Sequence, residues 1–187
     1  MTSQRNLTSA STVRALGLFL VPALLAITGC GTSAPALDPS QLASLYDLNQ
    51  TGQAVVRLYA APIPGIEGIA THPWFVVKHA NWNGFNRWEV WQDAGYPYGH
   101  VRLNLQYLED DVGAGGATVV AELVGPAAES VVSFIESQSP FYPCQNYYEY
   151  FPGPNSNSYA QWVLDNTGWQ VTLPSTSIGA DVPANCQ

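Results

Sequence analysis

ATVVAELVGPAAESVVSFIESQ, Ala117 to Gln138, contains the change of period that decides the fold. Its first part, ATVVAELVG, is short and rich in β-branched residues, the composition of a strand ending at Gly125. From Pro126 onward Val131, Val132, Phe134 and Ile135 fall at helical spacing. Pro126 stands near the start, where a missing N–H costs nothing, and Ser139-Pro140 marks the end. The spacing therefore predicts an amphipathic helix packed on a sheet.

Upstream, AVVRLYAA, HPWFVVKHA, NRWEVWQ and HVRLNLQ read as further strands, separated by the turn-rich PIPGIEG, NWNGFN, DAGYPYG and DVGAGG. QLASLYDL suits a short helix. Downstream, NYYEYF reads as one more short strand, a second helix runs from about Asn157 to Asn166, and WQVTLPSTSIGADVPANCQ forms a mostly irregular tail. Strands first and helices after indicate an α+β domain with a mainly antiparallel sheet and packed helices.

The N-terminus has a different character. Arg5 and Arg14 precede the uncharged apolar run ALGLFLVPALLAI, Ala15 to Ile27, which ends in small residues before Cys30. This pattern reads as a signal peptide over residues 1–29. A spanning helix needs about 20 apolar residues, and Pro22 interrupts this shorter run. Ile27-Thr28-Gly29-Cys30 resembles the bacterial lipobox, which implies a lipidated Cys30 as the first mature residue. The bilayer is then the expected partner, since each buried acyl methylene contributes ~0.8 kcal/mol. Residues 30–40, small, polar and proline-bearing, form a tether, and residues 41–187 are expected to be one domain in the cell envelope. Gly31 rather than Asp after Cys30 is compatible, by resemblance to known sorting rules, with the periplasmic face of the outer membrane in a Gram-negative cell.

Cys144 and Cys186 remain, an even number in an oxidising compartment, so a disulfide between them is the economical expectation. Cys144 as a free nucleophile is the weaker reading, because no base or cationic residue neighbours it in sequence. Beyond residue 29 there are four basic residues against fourteen acids, a formal net charge of −10. A surface of that sign repels polyanions and disfavours nucleic-acid binding.

Two resemblances enter at PGPNSNSYAQWVL. With HPWFVVK upstream and TLPSTSIGAD downstream, it resembles a bacterial family known only as a domain of unknown function with a PGPNSN signature, over roughly Val55 to Asp181. The order of elements also resembles circularly permuted papain-like proteins, the NlpC-type and lecithin:retinol acyltransferase-like group. There a catalytic His opens an early strand and the nucleophilic Cys comes late, in an Asn-Cys step at a helix N-terminus. Asn155-Ser156, followed by Tyr159 and Trp162, is similar to that step with oxygen in place of sulfur. The resemblance implies Ser156 as nucleophile and His72 as base.

A helix N-terminus supplies unpaired N–H groups and partial positive charge, which stabilise an oxyanion beside a nucleophile. Serine gains little else from that field and needs a base within hydrogen-bond reach. Glu89 is the carboxylate available to orient His72 from the neighbouring strand, on the face opposite Trp88 and Val90. A structural role competes: Asn155 or Ser156 is also a good N-cap, worth about 1 kcal/mol. His79 and His100 are alternative bases. The three histidines lack the paired spacing of a zinc site, so neither metal nor cofactor is expected. Glu109-Asp110-Asp111 reads as a solvated turn rather than a calcium loop.

Asn155, Asn157, Trp74, Trp88 and Tyr148 are the candidate binding residues, within a wider set of Trp and Tyr that serves equally well as packing. Asn beside Trp suits a neutral, hydrogen-bonding ligand. Two classes of function follow: a serine-variant amide or ester hydrolase or acyltransferase, and a non-catalytic envelope protein that binds peptidoglycan, a peptide or lipid, or meets another envelope protein.

Overall fold

Five strands and two principal helices are present in a computed structural model of the chain, which describes residues 47–49, 51–92 and 99–186. The signal peptide, Cys30, the tether and most of the helix expected at QLASLYDL lie outside these residues; 47–49 are helical. The strands are β1 (Val55–Pro62), β2 (Thr71–Lys78), β3 (Asn86–Gln92), β4 (Gly99–Leu103) and β5 (Thr118–Val124), followed by α1 (Pro126–Gln138), a 3-10 turn (Ser139–Phe141) and α2 (Ser156–Thr167). They make one sheet in the order β4-β3-β2-β1-β5, every neighbouring pair antiparallel. The α+β expectation holds.

The period-two alternation of the strands sorts the sheet into two unlike faces. Val56 and Leu58 of β1, Phe75 and Val77 of β2, and Trp88 and Val90 of β3 form one face, against Val131, Val132 and Ile135 of α1 and Tyr159, Val163 and Leu164 of α2. All these side chains are buried, and each large one contributes about 1.5–3 kcal/mol relative to exposure. On the opposite face Tyr59, Ala61, Trp74 and Val76 meet Val112, which belongs to the connection between β4 and β5. Cross-strand register sets Tyr59 opposite Trp74, Ala61 opposite His72 and Val76 opposite Arg87, so the buried His72 and Arg87 lie on this second face. Central strand β2 is buried along its whole length because both faces are covered.

Two expectations about the elements need correction. NYYEYF is not a strand: 143–146 form turns and 147–149 have no regular structure. The edge beyond β4 is met instead by a side chain, Gln145, whose Oε1 accepts from the Val101 amide at 2.9 Å. β4 also stops at Leu103, short of HVRLNLQ. Asn104 follows it at φ 53, and its amide donates to the Arg87 carbonyl at 2.8 Å, which turns the chain over the second face.

Cys144 and Cys186 form a disulfide with Cα atoms 4.9 Å apart, tying the tail to the segment before α2. Among the described residues no helix is long and apolar enough to cross a membrane.

Candidate functional site

The first turn of α2 is built by PGPNSNS. Asn155, in extended conformation, is the N-cap: its Oδ1 accepts from the Asn157 and Ser158 amides at 2.9 and 3.4 Å. Ser158 Oγ accepts in return from the Asn155 amide at 3.1 Å, completing a capping box. The cap is therefore Asn155, and the Ser156 hydroxyl takes no part in it. Ser156 is the first residue of the helix and is 2% exposed.

The remaining donors of this turn lock it to the tail and to β2. Asn155 Nδ2 donates to the Tyr150 and Ile178 carbonyls, and Ser158 Oγ donates to the Gly179 carbonyl. Asn157 Nδ2 donates to the Thr71 and Ile178 carbonyls, each at 3.0 Å. Gly179, at φ +89, has no room for a side chain: a Cβ there would stand 2.5 Å from Asn155 Nδ2 and 2.7 Å from the Pro152 carbonyl oxygen. PGPNSNS and SIGAD are thus two halves of one hydrogen-bonded unit.

On the second face of the sheet, His72 Nε2 lies 2.9 Å from Glu89 Oε2. Arg87 clamps the same carboxylate with a fork, Nε to Oε1 at 2.8 Å and Nη2 to Oε2 at 2.8 Å. All three side chains are buried. Burial pushes the Glu89 carboxyl up, but the hydrogen bonds and charges of His72 and Arg87 outweigh it and hold the group below its ordinary range. Glu89 is then a carboxylate and can only accept, so His72 Nε2 donates to it and Nδ1 is the ring nitrogen that Glu89 does not engage.

Arg87 reaches further. Its Nη1 donates to the Tyr107 and Asp110 carbonyls at 2.8 and 2.6 Å, and its guanidinium lies 4.3 Å from the centroid of the Trp74 ring. One residue thereby fixes Glu89, the covering loop and the aromatic layer. Sequence reading missed Arg87, although its i, i+2 relation to Glu89 in NRWEV puts both on one strand face.

The registered ladder between β2 and β3 runs from Val77 opposite Asn86 to Phe75 opposite Trp88. Past its last rung a cleft of about 90 Å³ opens, lined by His72, Val90, Trp91, Val112, Tyr148 and Tyr150 among others. Trp91 meets the His72 ring edge-on at 5.1 Å. Burial, then the neighbouring Tyr150, pushes the Tyr148 phenol well above its ordinary range, against the pull of hydrogen bonding from Ser156. Among the described residues no hydrogen bond joins His72 to Ser156 directly.

The other candidates lie elsewhere. Trp74 is fully buried and stacked on Tyr59 at 5.3 Å. Trp88 belongs to the helix-side core and donates from Nε1 to Glu136 at 2.8 Å. His79 stands at the far end of β2, roughly 23 Å from His72 at ~3.3 Å per residue, and its Nδ1 pairs with Glu129 of α1. His100 is in β4, opposite Trp91. Glu109 does not sit in a solvated turn: it is 1% exposed and accepts from the Tyr59 hydroxyl at 2.7 Å, because the β4–β5 connection covers the second face. Among the described residues no group of three or more His, Cys, Asp or Glu is arranged to hold a metal ion.

No curated protein and no solved structure matches the chain. Residues 53–182 match the model of a family described as "Protein of unknown function (DUF3750)", a span that runs from just before β1 to Val182, beyond Gly179. That span includes both the His72–Glu89–Arg87 cluster and the PGPNSNS–SIGAD unit. The chain belongs to the DUF3750 family.

Proposed function

We propose that this chain is a lipid-anchored cell-envelope protein that transfers or hydrolyses an acyl group at an amide or ester, in an architecture akin to the permuted papain-like proteins. Ser156 is the nucleophile, His72 its base, Glu89 the group that orients the ring, and the N-terminus of α2 the oxyanion site. The observation that carries the reading is the buried His72–Glu89 pair, 2.9 Å apart, in which His72 lies on β2, the strand whose first residue, Thr71, is hydrogen-bonded to Asn157, the neighbour of Ser156.

Chemistry would proceed by attack of Ser156 Oγ on the substrate carbonyl while its proton passes to His72 Nδ1. The new Oγ–C bond places negative charge on the carbonyl oxygen, which the Ser156 amide stabilises, since the Asn157 and Ser158 amides already donate to Asn155 Oδ1. Collapse breaks the bond to the leaving amine or alcohol, which takes the proton from His72. Water or an acceptor hydroxyl then releases the acyl group by the same steps in reverse. Closure of the gap between His72 and Ser156 upon substrate binding is part of the proposal, since catalytic hydrogen bonds often tighten only in the substrate complex. Wild-type protein should be labelled at position 156 by a fluorophosphonate and the Ser156→Ala variant should not; equal labelling would remove the enzymatic reading.

A second reading is favoured by the largely apolar cleft. It is an envelope protein that binds a peptidoglycan fragment, a peptide or a lipid without chemistry. Ligand retention would then be the same in folded Ser156→Ala and His72→Ala variants as in wild type.

A further inference from the structure

A groove of about 660 Å³ runs between α2 and the C-terminal tail, against about 90 Å³ for the cleft at His72. That volume is in the range of ligand sites, roughly 300–1,000 Å³. Gln161, Trp162 and Asp165 of α2 line it, together with Val171 to Pro174 and Ala180 to Ala184 of the tail. One part of the lining is a strand without a neighbour. From Trp169 to Leu173 exposure alternates: Trp169, Val171 and Leu173 are half-buried against the helix-side core, and Gln170 and Thr172 are exposed. A period of two is the mark of extended backbone. Yet among the described residues no hydrogen bond engages the amide or the carbonyl of Val171, Thr172 or Leu173, and the segment joins no strand of the sheet. The groove is also acidic. Asp165 comes from the helix and accepts from the neutral Gln161 Nε2 at 2.7 Å, Asp181 comes from the tail, and among the described residues neither has an ion pair. No Lys or Arg follows Arg102 in the chain.

We infer that this groove docks an extended basic segment of a partner protein, which adds as a strand along Val171 to Leu173 and sets Lys or Arg side chains beside Asp165 and Asp181. Strand addition gives the open amides and carbonyls of one edge their main-chain partners, and the alternation of the incoming side chains turns every second one to the same face. Charge and hydrogen bonding together select the occupant. A lipid chain would leave those backbone groups without partners, and an acidic polymer would meet two carboxylates. A second copy of this chain does not supply the segment, since its four basic residues beyond residue 29 lie in β1 to β4 and three of them, Arg57, Lys78 and Arg87, are buried. Trp162, half-buried in the lining, offers an apolar and cation-attracting surface to the stem of a basic side chain. Such docking needs no chemistry at Ser156, so its failure would leave the acyl-transfer reading untouched.

The probe is a fluorescein-labelled hexapeptide of alternating Lys and Thr, and its binding to the full chain is followed by fluorescence anisotropy. Saturable binding is expected, weakened about tenfold by Asp165→Asn/Asp181→Asn, as the loss of two exposed ion pairs allows. Glu67→Gln/Glu149→Gln, which removes the same charge from exposed positions outside the groove, should bind like wild type. Strand pairing has its own signature. A peptide paired along one edge uses every second amide, so N-methylation of the Lys amides and N-methylation of the Thr amides should have unlike effects, one abolishing binding and the other sparing it. Absence of saturable binding at millimolar peptide, equal affinity of the two double variants, or equal effects of the two methylation patterns would overturn the docking of a basic strand. Near-ultraviolet circular dichroism reports the fold, and should the Asp165→Asn/Asp181→Asn chain misfold, the methylated peptides decide on the wild-type chain.

Discussion

Asn157 Nδ2 donates to the carbonyl oxygen of Thr71 at 3.0 Å, and through that bond the first turn of α2 is set against the residue that precedes His72. The same amide reaches the Ile178 carbonyl at 3.0 Å, so one side chain joins helix, central strand and tail. Its Oδ1 is buried without a partner, which makes the donor side of the amide the part that matters. Asn157→Ala removes the Nδ2 bond to the Thr71 carbonyl, while the Ile178 carbonyl keeps the one from Asn155 Nδ2, and is expected to lower stability by about 1–3 kcal/mol in urea unfolding. Asn157→Asp, which retains shape but loses the donors, should be at least as damaging. If Asn157→Ala unfolds at the wild-type midpoint, the bond to Thr71 is not what holds α2 to β2.

Gly179 argues for the tail as part of the site. A methyl group there would collide with the Asn155 amide and the Pro152 carbonyl, and the backbone is at φ +89. Gly179→Ala should cost about 2 kcal/mol or more, from strain and from the displaced cap together. Gly68→Ala is the matched control, since a Cβ at Gly68 meets nothing within 4 Å, and it should change stability by less than about 0.5 kcal/mol. Equal effects of the two substitutions would contradict this account of the motif.

The difference between what was legible and what was not follows from the range of the interactions. The helix from Pro126 could be read from Val131, Val132 and Ile135 because helical spacing is local, and the Asn155 cap could be narrowed to two residues for the same reason. Glu89 beside His72 followed from strand alternation once the two strands were taken as neighbours. The Tyr-rich stretch misled because β propensity says nothing about whether a sheet edge is available, and Gln145 meets the β4 edge with a side chain instead. Glu109 misled because an acidic run looks solvated until a partner 50 residues away, Tyr59, is known to take it in. Gly179 carries no local signal either: its requirement arises from Asn155 and Pro152, far back in the chain.

Glu89 and Glu109 should shape the pH dependence of stability in opposite directions. Glu89 is held below its ordinary range in the fold, so its contribution is present above the unfolded value of about 4.3 and is lost as pH falls through the folded value. Burial raises Glu109, more than the Tyr59 hydrogen bond and the Arg57 charge lower it. Its contribution is therefore present below about pH 4.3 and is lost as pH rises through its folded value. Urea unfolding between pH 3 and 8 should show Glu89→Gln destabilised by about 3–5 kcal/mol at neutral pH, because Arg87 is left buried without its counter-charge. That deficit should shrink on the acid side. Relative to Glu109→Gln, wild type should instead lose ground as pH rises. Parallel curves for wild type and Glu89→Gln below pH 5 would mean that the fold does not hold the Glu89 carboxyl below its ordinary range.

Cys144–Cys186 closes a loop with a sequence separation of 42, and that loop contains the whole of α2, the PGPNSNS turn and the SIGAD segment. Chain-entropy arguments assign a cross-link of that length about 4 kcal/mol of stability, by restricting the unfolded chain. In the native state the bond also fixes the segment that carries Tyr148 to the tail that meets Asn155. The double variant Cys144→Ser/Cys186→Ser is expected to lose about 3–4 kcal/mol, with the loss concentrated around the candidate site. Amide hydrogen exchange distinguishes this from a uniform effect: protection of the Asn157, Ser158 and Tyr159 amides should fall more than that of Val76 and Val77 in the central strand. A uniform fall across α2 and β2 would mean that the disulfide stabilises the molecule as a whole and has no particular bearing on the turn that holds Ser156.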